Sequence, residues 1–262
     1  MKNNIFLTIL SFSFLFSVQS ILAQENSAKS FTSAIENAHN KNAFLSRKAV
    51  EYNLKLAFGG KSRIDAKITQ STDGSKIRID YAEGTTVVFD GKEVFGFPTK
   101  ASYKGARFDI FTWSYFFALP YKLNDDGTNW ETSKPNKWGG EDVLSNKLTF
   151  NDGVGDTPKD WYVVYANPET NYLEGTAYIV SFGKKLEKAE ADPHAIKYAE
   201  FEAVDGIPFA TKWTFHNWNK EEGYTDVIGE GTISDIKFID KEASFFEKEN
   251  KDIKPIEMKP TH

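Results

Sequence analysis

The chain has 262 residues, a formal net charge of −5 and no cysteine. Without cysteine there is no disulfide framework, no thiol nucleophile and no thiolate metal site, and the acidic balance argues against a nucleic-acid surface. An apolar content of 40%, with 15% of the chain aromatic, is too rich for a disordered polymer.

Lys2, the apolar run 5–18 and the short Ile21-Leu22-Ala23 have the three-part form of a secretory signal peptide. Residues 1–23 are expected to be a leader cleaved after Ala23, which places the protein in the periplasm or outside the cell. With no cysteine after the run, it is not a lipoprotein. No later stretch is long and apolar enough to span a bilayer. Residues 24–246 are expected to form one domain, since no linker or internal repeat divides them.

Residues 27–46 read as an amphipathic helix, with Phe31, Ala34, Ile35, Ala38 and Leu45 on one stripe. From Lys48 the period changes to two. Strands are predicted over 48–58, 63–70, 76–81, 85–89 and 92–97. Asp73-Gly74 and Asp90-Gly91 fall between members of this series, and Asp-Gly favours the tight turns of antiparallel hairpins. Residues 107–119 break the pattern. Their length and the stop at Pro120 favour a helix. It carries Phe108, Phe111, Trp113, Tyr115, Phe116 and Phe117, so it must be covered on most sides. Residues 124–136 read as a loop. Strands resume over 138–150, 161–166, 172–182, 195–204, 209–218 and 225–238, with turns at Asn167-Pro168 and Asp205-Gly206. The polar stretch 247–262 reads as a disordered tail.

The predicted fold class is mainly β: a single curved antiparallel sheet of about eleven strands, an open or half barrel, with helices over its concave face. If strand faces alternate, Ile77, Ile79 and Tyr81 share a side, as do Phe95 and Phe97, Trp161, Val163 and Tyr165, and Trp213 and Phe215.

No catalytic signature stands out. His39, His194, His216 and His262 make no metal-ligand spacing, and no nucleophile elbow or phosphate-binding glycine loop occurs. The acidic loop 151–156 lacks calcium-ligand spacing and reads as a turn. Asp109, Glu141 and Asp160 cannot be told from surface acids. The run 184–190 alternates in charge and reads as a solvated loop. The six tryptophans either fill the core, line a cavity or, on a binding module, form sugar platforms.

Two stretches carry a family resemblance. One is Lys76-Ile77-Arg78-Ile79-Asp80-Tyr81 followed by Thr86-Val87-Val88-Phe89-Asp90-Gly91-Lys92-Glu93-Val94-Phe95. The other is Tyr162-Val163-Val164-Tyr165-Ala166-Asn167-Pro168-Glu169-Thr170 with Tyr172-Leu173-Glu174. Their order resembles the LolA/LolB-like superfamily of periplasmic lipoprotein carriers. The stretch 113–123 with Asp126-Gly127 also resembles a group of secreted Bacteroidota proteins expected to share that fold. The carriers have an Arg-Pro pair in the second strand whose Arg locks a helical lid. Here the matching stretch has no Pro, and Arg78 is the candidate for that lock.

The resemblance implies a non-enzymatic envelope protein that binds or carries a lipid or acyl chain in an apolar cavity. The aromatic helix would be its lid. The cavity and lid residues would be Phe108, Phe111, Trp113, Tyr115, Phe116, Ile77, Ile79, Tyr81, Phe95, Phe97, Trp161, Tyr165, Trp213 and Phe215. The expected partners are a hydrophobic small molecule or lipid and, through the family, a lipoprotein or another envelope protein. No nucleic acid, cofactor or metal is expected. Two other readings stay open: a secreted scaffold or carbohydrate-binding module with a filled core, and a hydrolase of envelope polymers.

Overall fold

The computed structural model describes residues 27–99, 101–131, 134–248 and 252–258. The expected leader, residues 1–23, lies outside them. The expected first helix is two. α1 runs through residues 27–38, and α2 spans Lys41–Leu45. Asn40, at φ 55°, makes the break. Its short amide side chain tolerates this left-handed conformation.

Five strands follow: β1 (Ala49–Phe58), β2 (Lys61–Ser71), β3 (Ile77–Tyr81), β4 (Thr86–Phe89) and β5 (Val94–Phe97). The aromatic helix is α3 (Ala106–Ala118), and Pro120 converts its end into a 3-10 turn, Leu119–Tyr121. Eight strands complete the sheet: β6 (Thr128–Trp130), β7 (Lys134–Trp138), β8 (Glu141–Phe150), β9 (Tyr162–Ala166), β10 (Leu173–Tyr178), β11 (His194–Val204), β12 (Ile207–Asn219) and β13 (Gly223–Ile239). The short α4 (Leu186–Glu190) occupies the stretch read as a loop. The loop expected over 124–136 supplies β6 and part of β7.

All the pairings are antiparallel, in the order β5-β4-β3-β2-β1-β13-β12-β11-β10-β9-β8-β6, with β7 also on β8. Most strands pair with their neighbours in sequence, but β1 also pairs with β13, from Ala49↔Ile239 to Phe58↔Gly229, and β5 and β6 lie at opposite ends of the order. The Asp-Gly turns behave as their chemistry requires: Asp205 and Gly206 both have positive φ, 52° and 77°, in the two-residue link from β11 to β12.

The sheet is curved and unclosed, so it is an open sheet and not a barrel. An extra residue in β13 beside Asp235 (φ 54°) shifts the β1–β13 register, and a further shift falls between Phe215 and His216 in the β12–β13 ladder. Such bulges bend a strand and increase its twist. At one edge, Ile256 N–H bonds the Val94 carbonyl at 2.6 Å, and Ile253 is buried against Val88, Phe95 and Phe246. Residues 252–258 therefore cover the β5 edge, where disorder was expected from their polarity. A buried isoleucine and a backbone bond to β5 hold this strap, and edge strands need such cover.

Alternation sorts the side chains into layers. Ile77 and Ile79 of β3, Val87 of β4, Val94 of β5 and Val164 of β9 join α1, α2 and α3 in the main core. Face-to-face rings tie α2 to the turn after α3, Phe44 to Tyr121 at 3.9 Å, and α3 to the sheet, Tyr52 to Phe117 at 3.8 Å and Phe117 to Phe209 at 5.3 Å. On the opposite face, Trp138, Val163, Tyr165 and Trp218 form a second cluster beneath the β7–β8 hairpin.

His39, at the end of α1, is buried among the rings of Tyr121, Tyr172 and Phe201. Its Nε2 accepts the Leu173 N–H at 3.0 Å, so the fold requires that nitrogen unprotonated. Burial lowers its pKa from 6.5 to about 4. The unfolded chain then binds the proton that the folded one refuses, and stability is lost as pH falls from 6.5 towards 4. The loss for this group is about 3 kcal/mol. Urea unfolding over that range should show a steeper acid loss in the native protein than in His39→Gln, by roughly this amount. Equal slopes would remove His39 as the cause.

Candidate functional site

α3 presents two different faces. Asp109, Ile110, Trp113, Phe116 and Phe117 are buried towards the sheet. Phe108, Phe111, Thr112 and Tyr115 recur at helical spacing on the other side and are only half-buried. These four, with Phe116, form one wall of a cleft of about 570 Å³. The opposite wall comes from Phe150, Asp160, Tyr162 and Tyr178, at the β8–β10 end of the sheet. Ile77 and Phe89 close the β3–β4 side, and the acidic loop 153–157 stands at the mouth. The rings meet edge to face or tilted: Phe89 and Phe111 at 5.0 Å, Phe116 and Tyr178 at 4.9 Å, Tyr115 and Tyr162 at 5.7 Å. Each such contact adds about 0.5–1.5 kcal/mol beyond the area it buries.

Two arginine–aspartate pairs fix the start of α3. Arg63 of β2 grips Asp109 through both carboxylate oxygens, at 2.6 and 3.2 Å. Trp113 Nε1 and the Tyr81 hydroxyl also donate to Asp109, at 3.0 and 3.3 Å. Burial raises the Asp109 pKa, while the Arg63 charge and these donors work against the rise. A carboxylate in the first helical turn also suits the helix dipole. Arg107 clamps Asp156 of the mouth loop at 2.5 and 2.8 Å, lies over the Phe111 ring, and reaches the Ile256 carbonyl. Further along, the Tyr198 hydroxyl bonds the Phe116 carbonyl at 3.0 Å. With its inner face in the core, α3 forms one wall of the cleft; the sequence suggested it as a lid.

The structure separates the residues expected to line the cavity into three groups. Ile77, Phe108, Phe111, Tyr115 and Phe116 do line it. Ile79, Tyr81, Trp113, Trp213 and Phe215 belong to the main core behind the wall. Phe95 and Phe97 lie against the C-terminal strap, and Trp161 and Tyr165 against Trp138 and Trp218. These last four are on the opposite face because the neighbouring Val94, Tyr162 and Val164 take the helix side. None of the six tryptophans lines the cleft.

Arg78 is on the far face for the same reason, since Ile77 and Ile79 point to the helices. Its guanidinium bonds Asp80 at 2.8 Å and the Phe245 carbonyl at 3.2 Å, and stacks on Phe97 and Phe245. It fastens the C-terminal segment and does not touch α3. The arginine that does hold α3 is Arg63.

Residues 100–251 match the family of unknown function DUF6503. The chain belongs to that family. Among solved structures, this DUF6503 protein is similar to a LolA superfamily protein from Nitrosomonas europaea. Identity is 12% and the TM-score 0.55, over 85% of this chain and 98% of that one. It is also similar to a DUF1329 family protein from Desulfovibrio piger, at 14% identity and a TM-score of 0.53, over 84% and 97% of the two chains. At such identities the likeness is one of fold, and that fold is the LolA-like one. No curated protein matches the sequence.

Among the described residues of this DUF6503 protein, no group of three histidine, aspartate and glutamate side chains is placed to hold a metal ion. No helix among them is long and apolar enough to cross a membrane. Of the three acids that sequence could not rank, Glu141 is exposed, while Asp109 and Asp160 are 3% and 7% exposed. The stripe 108, 111, 112, 115 was the available signal for the cleft wall, but rings all round the helix concealed it.

Arg63→Ala leaves the Asp109 carboxylate buried without its cation. The expected cost at pH 7 is about 2 kcal/mol, because Arg63 itself is partly in solvent. A raised aspartate pKa penalises the fold as pH rises, so the deficit should shrink on acidification. Denaturant midpoints of the variant and the native protein between pH 7 and pH 4 check both the size and the sign.

Proposed function

We propose that this DUF6503 protein is a non-enzymatic carrier or sensor of a hydrophobic ligand, a lipid or acyl chain, acting in the periplasm or outside the cell. The observation that carries this reading is the cleft of about 570 Å³ walled by Phe108, Phe111, Tyr115 and Phe116. Its volume falls within the roughly 300–1,000 Å³ of small-molecule pockets. An engineered apolar cavity of about 150 Å³ already binds benzene.

Transfer of each methylene from water contributes about 0.8 kcal/mol. A chain of about twelve carbons therefore gains roughly 10 kcal/mol before the cost of association, which is itself about 4–15 kcal/mol. Binding strong enough to hold and weak enough to release follows from that balance, with no reactive group involved. The LolA-like fold supports the reading, since it is shared with a LolA superfamily protein. A lipoprotein or another envelope protein is the proposed source or recipient of the ligand.

Nile red, an uncharged apolar dye, should bind saturably with a rise in emission. Phe111→Asp, on the half-buried cleft side, should keep the far-ultraviolet circular dichroism spectrum and weaken dye binding at least tenfold. Phe116→Asp should unfold the chain, because it places an unpaired charge in the core, where Phe116 is 3% exposed. Absence of saturable binding, or binding indifferent to Phe111→Asp, would count against the cleft.

A further inference from the structure

The charges around the cleft are unequal. Two cations, Arg107 and Lys122, face four carboxylates, Asp125, Asp126, Asp156 and Asp160. Both cations are engaged. Arg107 holds Asp156 in a two-point clamp, and Lys122 bonds Asp125 at 3.0 Å and the Asp73 carbonyl at 3.3 Å. Asp126 and Asp160 have no cation within ion-pair distance among the described residues.

Asp160 is the unusual one. It is 7% exposed, and its Oδ1 accepts the Ser181 N–H at 2.9 Å. Burial raises its pKa, hydrogen bonds from Ser181 and Thr157 work against the rise, and no cation does.

Beside it the wall has a polar group with no partner. The Tyr115 hydroxyl is buried and has no hydrogen-bond partner among the described residues. The Tyr115 ring lies 5.7 Å from that of Tyr162, and the charge of Asp160 and the Tyr115 hydroxyl both bear on the Tyr162 hydroxyl. Buried polar groups are nearly always satisfied by protein or water, so an unpartnered hydroxyl beside a buried carboxylate that has hydrogen bonds but no cation points to where a ligand's polar end would sit. An acceptor-only carboxylate next to a hydroxyl suits a head that donates hydrogen bonds or carries positive charge. An anionic head would meet two uncompensated carboxylates and find both nearby cations already paired.

We infer that the cleft selects amphiphiles with a cationic or a neutral hydrogen-bond-donating head and discriminates against anionic ones such as free fatty acids. This rests on the cleft being the ligand site. Isothermal titration at pH 7 with three probes of one chain length, each below its micelle concentration, tests it: dodecylammonium, dodecyl maltoside and dodecanoate. The first two should bind at least tenfold tighter than dodecanoate, and which of them is tighter separates charge from donor capacity.

Asp160→Asn retains an acceptor for Ser181 and should narrow the gap to less than threefold. Asp126→Asn, at an exposed position, should narrow it partly with no loss of thermal stability. Dodecanoate binding as tightly as the other two, or a gap untouched by both variants, overturns the selectivity while leaving the cleft as a binding site. No binding of any probe overturns the cleft reading itself, and the selectivity with it.

Discussion

A helix with aromatic side chains on nearly every side cannot stand in water, and the rest of this structure is arranged around covering α3. Its inner face is sealed by Tyr52, Phe209 and Phe215, which come from strands far apart in sequence. A flat sheet would touch one side of such a helix only. The sheet bends instead, helped by the bulge at Asp235 in β13, and α1 and α2 join α3 in the same core. The outer face is covered incompletely. Phe108, Phe111 and Tyr115 look across a gap towards Tyr162 and Tyr178. The cleft is thus what remains when a ring-studded rod is wrapped by a sheet that does not close.

Polar anchoring then decides how firmly that rod is held. The first turn of α3 contains both Arg107 and Asp109, each paired with a partner of opposite charge on a different side of the helix. Arg63 ties it to β2, and Asp156 ties it to the loop at the cleft mouth. Buried ion pairs add little net stability but are costly to break on one side. They therefore fix the orientation of a helix whose apolar contacts alone would accept several rotations. Phe111 and Tyr115 face the cleft because Asp109 has only one place to go.

Much of the fold was legible in the sequence because its signals are local. Period-two alternation and the Asp-Gly turns located most strands, and the thirteen aromatic-rich residues after Gly105 located α3. The elements missed have weak local signals. β6 is three residues long, and β7 contains a proline. The C-terminal strap has only Ile253, Ile256 and Met258 as large apolar residues, at no regular spacing. The site was less legible, since alternation tells which residues share a face but not which face it is. Phe95, Phe97, Trp161 and Tyr165 were grouped correctly with one another and assigned to the wrong layer. The choice is made by long-range packing against α3, which no window of sequence contains. Arg78 failed as the helix anchor on the same ground, and Arg63 gave no signal because its partner lies on another element.

The pairing of β1 with β13 has a consequence for how the molecule comes into being. Ladders between hairpin neighbours zip as soon as a turn forms, but Ala49 must wait for Ile239. The loop-closure entropy of that junction is spent before its contacts repay it, so high contact order slows the final assembly. Until the last long strand has been synthesised, the two halves of the sheet are separate ribbons and the core beneath them is open. The stability of the whole sheet therefore hangs on a junction that only a nearly complete chain can make.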